Sequence, residues 1–293
     1  LLLVVLPPAV FAAARPAFAK AAEFDAMLSR VKLPPGFTIS VFAEVPGARS
    51  LAVCGEGSRI FVGSRGSRIH EMRDGASREI ARGLHVPNGI DCRDDRLYAA
   101  LQDRIVYWAL PAEGAAATLG KPATIKDDLP DKRHHGWRYA AFGPDGKLYV
   151  ALGAPCNICE PRGMEGSIIR LDPDGSEVET VATGIRNSVG FDWHPKTGEM
   201  FFTDNGADNM GDDIPPDELN RVRGIGGFYG YPYLGGKSVG LAGFTDTTPP
   251  KEPIAPVVEF QAHVPALGIP FSRGAMFPRA YRSTAFLPPP CPR

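Results

Sequence analysis

One pattern of apolar and polar positions recurs along the chain. A run of small or apolar residues leads into a polar turn, and an apolar strand follows. The copies are "SLAVCGEGSRIFVGS", "NGIDCRDDRLYAAL", "YAAFGPDGKLYVAL" and "VGFDWHPKTGEMFFTD". Each predicts a β-hairpin, because turns such as "GPDGK" and "HPKTGE" supply residues that tolerate positive φ. Aligned on Phe61, Tyr98, Tyr149 and Phe201, the copies stand 37, 51 and 52 residues apart. The further strands "RIHEMRDG", "RIVYWAL" and "SIIRLDPDG" follow the hairpins. A hairpin plus one or two strands every ~40 to 50 residues predicts the blades of a β-propeller. An ordinary β-sandwich is the plainer alternative, and four aligned copies favour the propeller.

The expected fold class is therefore all-β, of the six-bladed β-propeller type, with residues 20–293 as one domain. From Lys20 the chain has room for about six blades of ~45 residues. A fifth hairpin, "GAMFPRAYRSTAFL", is expected from Gly274, and the ending "PPPCPR" does not resemble a strand. The last blade is expected to be incomplete. "GFTISVFAEVPG" would normally complete it and close the ring, and is expected to be left as an unpaired edge.

Composition narrows the partners. The 293 residues carry a net charge of -1, so a nucleic-acid partner has no electrostatic support. The opening "LLLVVLPPAVFAAARPAFAK" reads as the remnant of a secretory signal over residues 1–19, with Ala17-Phe18-Ala19 as a cleavage pattern. An apolar N-terminal arm is the plainer reading. The run is too short and too interrupted by proline for stable membrane insertion. A periplasmic or secreted location is expected, and it permits disulfides. Cys156 and Cys159, in "GAPCNICE", are expected to form a local disulfide rather than half of a zinc site. Cys54 and Cys92 occupy similar places in two repeats, with their pairing open. Cys291 lies in the tail. There is no C-x-x-C-H for a c-type haem.

Turns before the innermost strands of a propeller face one mouth of its channel, so polar residues there converge from distant parts of the chain. "RHHGWR" puts His134 and His135 ahead of the third hairpin, where an imidazole can act as general base. In a strand-like segment their side chains would point oppositely, so one is expected to face the site. Arg138 can orient an anion through its planar fork. "GIRNSVGFDWHP" puts Arg186 and Asn187 at the matching place before the fourth hairpin. "TDNGADNMGDDIPPDELNRV", with Asp204 and Asp208, is rich in the oxygen ligands that Ca²⁺ takes, though not at EF-hand spacing. An acidic surface loop explains that composition equally well. "ALGIPFSRGAMF" puts Arg273 ahead of the fifth hairpin. Singly these are ordinary solvated turns. Their shared position in the repeat implies a pocket for a multiply anionic small molecule beside a divalent cation.

The segments "HHGWRYAAFGPDGKLYVALGAPCNICE", "GIRNSVGFDWHPKTGEMFFTDNG" and "DELNRV…GGFYGYPY" resemble the soluble glucose/sorbosone dehydrogenases, above all the L-sorbosone dehydrogenase-like branch. The resemblance runs from about Leu33 to Phe286. It implies a six-bladed propeller that binds pyrroloquinoline quinone (PQQ) and Ca²⁺. The implied activity is oxidation of a sugar or sugar aldehyde, with electrons passed to an external acceptor. Counting back from Arg138 implies His134 as the base. His135 stays open, because Trp137 stands where the family pattern has Gly. Arg138, Arg186, Asn187 and Arg273 are the implied cofactor contacts, with Arg186 also among the catalytic candidates. Asn88 is placed on the substrate side. The carbonyls of Gly206 and Ala207 are the implied calcium ligands, with Asp204 and Asp208 added from the loop's composition. Two other classes compete. A calcium-dependent lactonase-type propeller needs a carboxylate from an early blade, for which Asp91 is the candidate. A non-catalytic extracellular propeller would need none of these roles.

Overall fold

The computed structural model describes residues 2–6, 21–55, 59–73, 75–112, 118–274 and 276–287. Four sheets follow one another along this chain. Blade 1 is Ala48–Cys54, Arg59–Ser64, Ile69–Arg73 and Ala76–Ala81. Blade 2 is Gly89–Arg93, Arg96–Ala100, Ile105–Ala109 and Ala123–Lys126. Blade 3 is Tyr139–Phe142, Leu148–Leu152, Ser167–Leu171 and Glu179–Thr183, extended in parallel by Gly227–Phe228. Blade 4 is Phe191–Trp193, Met200–Asp204, Asp217–Arg221 and, after a long excursion, Val258–Phe260. Within each blade neighbouring strands run antiparallel, apart from that extension. The fold is thus all-β and propeller-like, and the described residues hold four blades where the sequence suggests six.

The hairpins close as their turns dictate. Asp94 and Asp95, at φ 48° and 54°, form the second, while Gly146 and Gly198 supply positive φ in the third and fourth. Strand alternation then puts apolar side chains on both faces of a blade, and the core lies between blades. Leu97 and Ala99 face blade 1, meeting Phe61 and Ile69, while Tyr98 and Ala100 face blade 3, meeting Leu148 and Val150. Phe191 and Phe202 of blade 4 pack on Tyr149 and Ile168 of blade 3. Each such fully buried Leu, Ile, Val or Phe contributes roughly 2 kcal/mol.

A repeated aspartate links the innermost strands. Asp91, in "NGID", accepts hydrogen bonds from the N–H of Cys92 and, on the next blade, of Phe142. Asp192, in "VGFD", does the same with Trp193 and Phe271. The Cys54–Cys92 disulfide joins the ends of the innermost strands of blades 1 and 2.

The fifth hairpin differs from expectation. Its arms meet at a Phe271–Ala285 bridge, reinforced by Ser272 N–H to Thr284 and Phe286 N–H to Pro270. It therefore begins before Gly274, and Arg273 lies beyond its first arm. Thr38–Ala43, expected as a free edge, pairs antiparallel with Leu2–Leu6. Phe37 stacks on Phe277 and meets Tyr281 edge-on, and Ala43 packs against Val62 of blade 1. This segment thus joins blade 1 to the fifth hairpin. The expected cleavage pattern at Ala17-Phe18-Ala19 and Cys291 lie outside the described residues. No described helix is long and apolar enough to cross a membrane.

Candidate active site

The innermost strands surround a channel of about 1030 Å³, lined among others by Ser50, Asn88, Trp137, Tyr139 and Phe191. The connections ahead of blades 3 and 4 contribute Trp137 and Val189 to its lining, and two histidines, which are outside that lining, lead the first of them. Residues 133–135 form a turn rather than a strand, and His135 adopts φ 50°. Its backbone conformation is uncommon for a side chain with a Cβ. The expectation that the rings diverge is thereby corrected: the His134 and His135 rings lie 4.0 Å apart. Gly153 makes room for this turn, since a Cβ there would collide with His135 and approach Asn187 Oδ1 to 3.3 Å.

The two rings are not equivalent. His134 is exposed. His135 Nδ1 sits 2.9 Å from the Ala154 carbonyl oxygen. A carbonyl only accepts, so Nδ1 carries the hydrogen and Nε2 keeps the lone pair. Burial, then the Arg186 charge, then His134 push the His135 pKa down to about 3. The ring is neutral at all ordinary pH. His134 is also lowered, first by desolvation and then by Arg186.

Arg186 is the hub of the cluster. It donates to Asn157 O (2.9 Å), Asn157 Oδ1 (2.7 Å), Asn205 O (3.1 Å) and the Asp208 carboxylate (2.8 Å). Four of its five N–H groups are thus satisfied inside the protein. The Asn187 amide side chain makes no hydrogen bond to any described residue, so it is free for a ligand. Asn157 was not foreseen from the sequence. It lies inside the Cys156–Cys159 disulfide ring, and its amide also receives Asp208 N–H (2.8 Å) and donates to Asp208 O (2.8 Å). The Tyr231 hydroxyl holds the same ring by accepting from Cys159 N–H at 3.0 Å and donating to Asn157 O at 3.3 Å. Its position within the C-x-x-C was the available signal.

Three expected contacts are placed differently. Arg138 is 1% exposed, and its guanidinium donates to the carbonyls of Gln102 (3.1 Å), His135 (3.3 Å) and Pro130. It holds the histidine turn from behind instead of facing a ligand. Arg273 is paired with Asp192 and donates to Trp193 O, so the structure does not bring it to the histidines. Both Asp204 oxygens are taken, one by Arg186 N–H (2.8 Å) and one by Asn187 N–H (2.6 Å). Asn88 donates to Arg138 O (2.7 Å) and lines the channel.

The loop after Asp204 suits a hard cation. No described group donates to the carbonyl oxygens of Gly206 or Ala207. Asn205 Oδ1 and Asp217 Oδ2 are buried without a partner. Carbonyl, amide and carboxylate oxygens are the donors calcium takes. Gly206 is needed here, because a Cβ would come within 2.7 Å of Pro216 O. Among the described residues no three His, Cys, Asp or Glu side chains are grouped as a metal site. Any cation here would therefore lean on backbone oxygens.

Residues 99–287 match the glucose / sorbosone dehydrogenase family. The chain belongs to that family. An uncharacterized protein of Borreliella burgdorferi is 33% identical over 276 residues, covering 90% of this chain and 73% of that protein. A glucose dehydrogenase-type oxidoreductase from Thermus thermophilus superposes with a TM-score of 0.60 at 25% identity, over 78% of this chain and 74% of that one. The PQQ domain of a Coprinopsis cinerea pyranose dehydrogenase, in its holo form, shares the fold with a TM-score of 0.62 at 18% identity, over 78% and 69% of the two chains. This dehydrogenase is accordingly an oxidoreductase of sugars. Asp91, the candidate ligand of the lactonase alternative, accepts one backbone N–H on each oxygen.

Proposed function

We propose that the protein is a PQQ- and Ca²⁺-dependent dehydrogenase of a sugar or sugar aldehyde, acting outside the cytoplasm and passing electrons to an external acceptor. The complete ring would have six blades. The observation that carries the reading is the His135 ring, fixed through Nδ1–H on Ala154 O with an unprotonated Nε2, beside the buried Arg186. When bound, the quinone supplies a hydride acceptor and the cation an electrophile that favours the reduced form.

The chain's own groups do the rest. His135 Nε2 receives the proton of the substrate hydroxyl. Its low basicity in the resting state keeps it deprotonated and ready, and a nearby anionic ligand would raise its proton affinity. Arg138 fixes the turn that carries it. Arg186 adds positive charge, and Asn187 a free amide, where an anionic cofactor would lie. The carbonyls of Gly206 and Ala207, with Asn205 Oδ1, would hold calcium.

The test is a titration of the purified chain with PQQ in calcium, followed by aldose sugars and an artificial electron acceptor. Saturable binding with sugar-dependent dye reduction is the expected result. Absence of both binding and reduction would sink the reading.

A further inference from the structure

We infer that Arg49 and Arg65 form a carboxylate-binding subsite at the channel mouth, so that the sugar taken by the site is an acidic one. The inference rests on the dehydrogenase reading above. Both guanidiniums lie over the Trp137 indole, Arg49 at 4.8 Å and Arg65 at 3.8 Å from the ring centroid. Trp137 follows His135 by two residues on the same connection, and it lines the channel mouth together with Arg49, Ser50 and Asn88. Trp137 thus ties the pair to the connection that carries the proposed base.

Among the described residues the pair has no carboxylate counter-charge. Four other arginines of blade 1 and its edge, Arg59, Arg68, Arg78 and Arg82, each meet Glu71 or Glu79. Neither Arg49 nor Arg65 meets a carboxylate among the described residues. Two cations gathered on one ring repel each other, and the indole quadrupole offsets only part of that. Consistently, the Arg49 pKa is lowered, first by burial and then by Arg65. An anion offsets the remainder, and a carboxylate matches the guanidinium fork. The chemistry fits a sugar bearing a carboxylate, such as a uronic acid.

The experiment is calorimetric titration of the full chain with D-galacturonate and with D-galactose, which share a ring and differ in the carboxylate. Galacturonate should bind tighter by roughly tenfold or more, the scale of one charge-assisted contact, and added salt should shrink the gap. The double variant Arg49→Gln, Arg65→Gln should lose the gap and keep its affinity for galactose and for PQQ. Equal affinities in the parent chain overturn the inference, as does a preference that survives in the double variant. Loss of PQQ affinity in the double variant, without any uronate preference in the parent, also overturns it by assigning the arginines to the cofactor. Dye reduction with galactose but no uronate preference leaves the dehydrogenase reading intact and removes the subsite. A preference without quinone-dependent reduction does the reverse.

Discussion

Arg138 and Arg186 lie in the connections that lead into the innermost strands of consecutive blades, at different places in the repeat, and both are nearly inaccessible at 1% and 4% exposure. Their partners separate them. Arg138 meets only backbone carbonyls, of Gln102, His135 and Pro130. Arg186 meets side chains that are themselves part of the site, Asn157 and Asp208, and it lowers the pKa of both histidines. A buried guanidinium ahead of a blade can thus serve as scaffold or as site, and its neighbours decide which.

The largest effect sharpens the site side of this contrast. His135→Ala should lower the rate of sugar-dependent dye reduction by about 10²- to 10⁴-fold, the usual worth of a positioned base. His134→Ala should change it little, because its exposed ring is not fixed by a backbone partner. Rates that collapse in His134→Ala and survive in His135→Ala would reverse the assignment. The scaffold side breaks differently. Arg138→Met removes hydrogen bonds to three buried carbonyls and should cost on the order of 3 kcal/mol, seen as a lower Tm. Arg186→Met should keep more of the Tm and lose PQQ affinity. Equal Tm losses in the two variants would mean that the contrast is only one of position.

This contrast marks how far the sequence was legible. The four hairpins, the strands after them and their turns were readable, because period-two alternation and positive-φ residues such as Gly146 and Gly198 leave a local trace. The pairing of Cys156 with Cys159 was readable for the same reason. What Arg138, Arg273 and Asp204 bond to was not, because their partners lie on other strands or in the backbone. Nor was the facing of the histidines. Alternation held only if residues 133–135 were a strand, and a single positive φ at His135 overturns it. Asp192 shows a signal that was present and unused: "NGID" and "VGFD" repeat an aspartate whose role as a staple between blades explains why Arg273 ends there.

A smaller effect tests the ring that joins the two turns. Asn157 holds Arg186 and the backbone of Asp208 at once, from inside the Cys156–Cys159 loop. Asn157→Ala should weaken PQQ binding by roughly tenfold, the scale of lost bonds to a charged partner. Cys156→Ser with Cys159→Ser should weaken it less, since Tyr231 still ties the loop through Cys159 N–H. Fluorescence titration with PQQ reads both. Unchanged affinity in Asn157→Ala would show that Arg186 keeps its place without that partner.

The smallest expected effect concerns pH, and it separates the two histidines without a mutation. A buried base whose folded pKa is depressed contributes stability above its unfolded value and loses it as the medium acidifies. For His135 that window runs from the ordinary histidine value near 6.5 down toward about 3. Its stabilising contribution should therefore be fully present at pH 7.5 and wane progressively from about pH 6.5 downward. Turnover through Nε2 should behave otherwise. Because the folded ring stays neutral, kcat/KM should show no acid limb near pH 6.5 and should hold down to about pH 5, provided the fold holds. The His134 pKa is also lowered, by desolvation and then by Arg186, but its exposed ring has no backbone partner to hold one tautomer. Measuring kcat/KM between pH 5 and 8 with the quinone held saturating tests the assignment. A flat profile keeps catalysis on the ring fixed to Ala154, and an acid limb within that range takes it away from that ring.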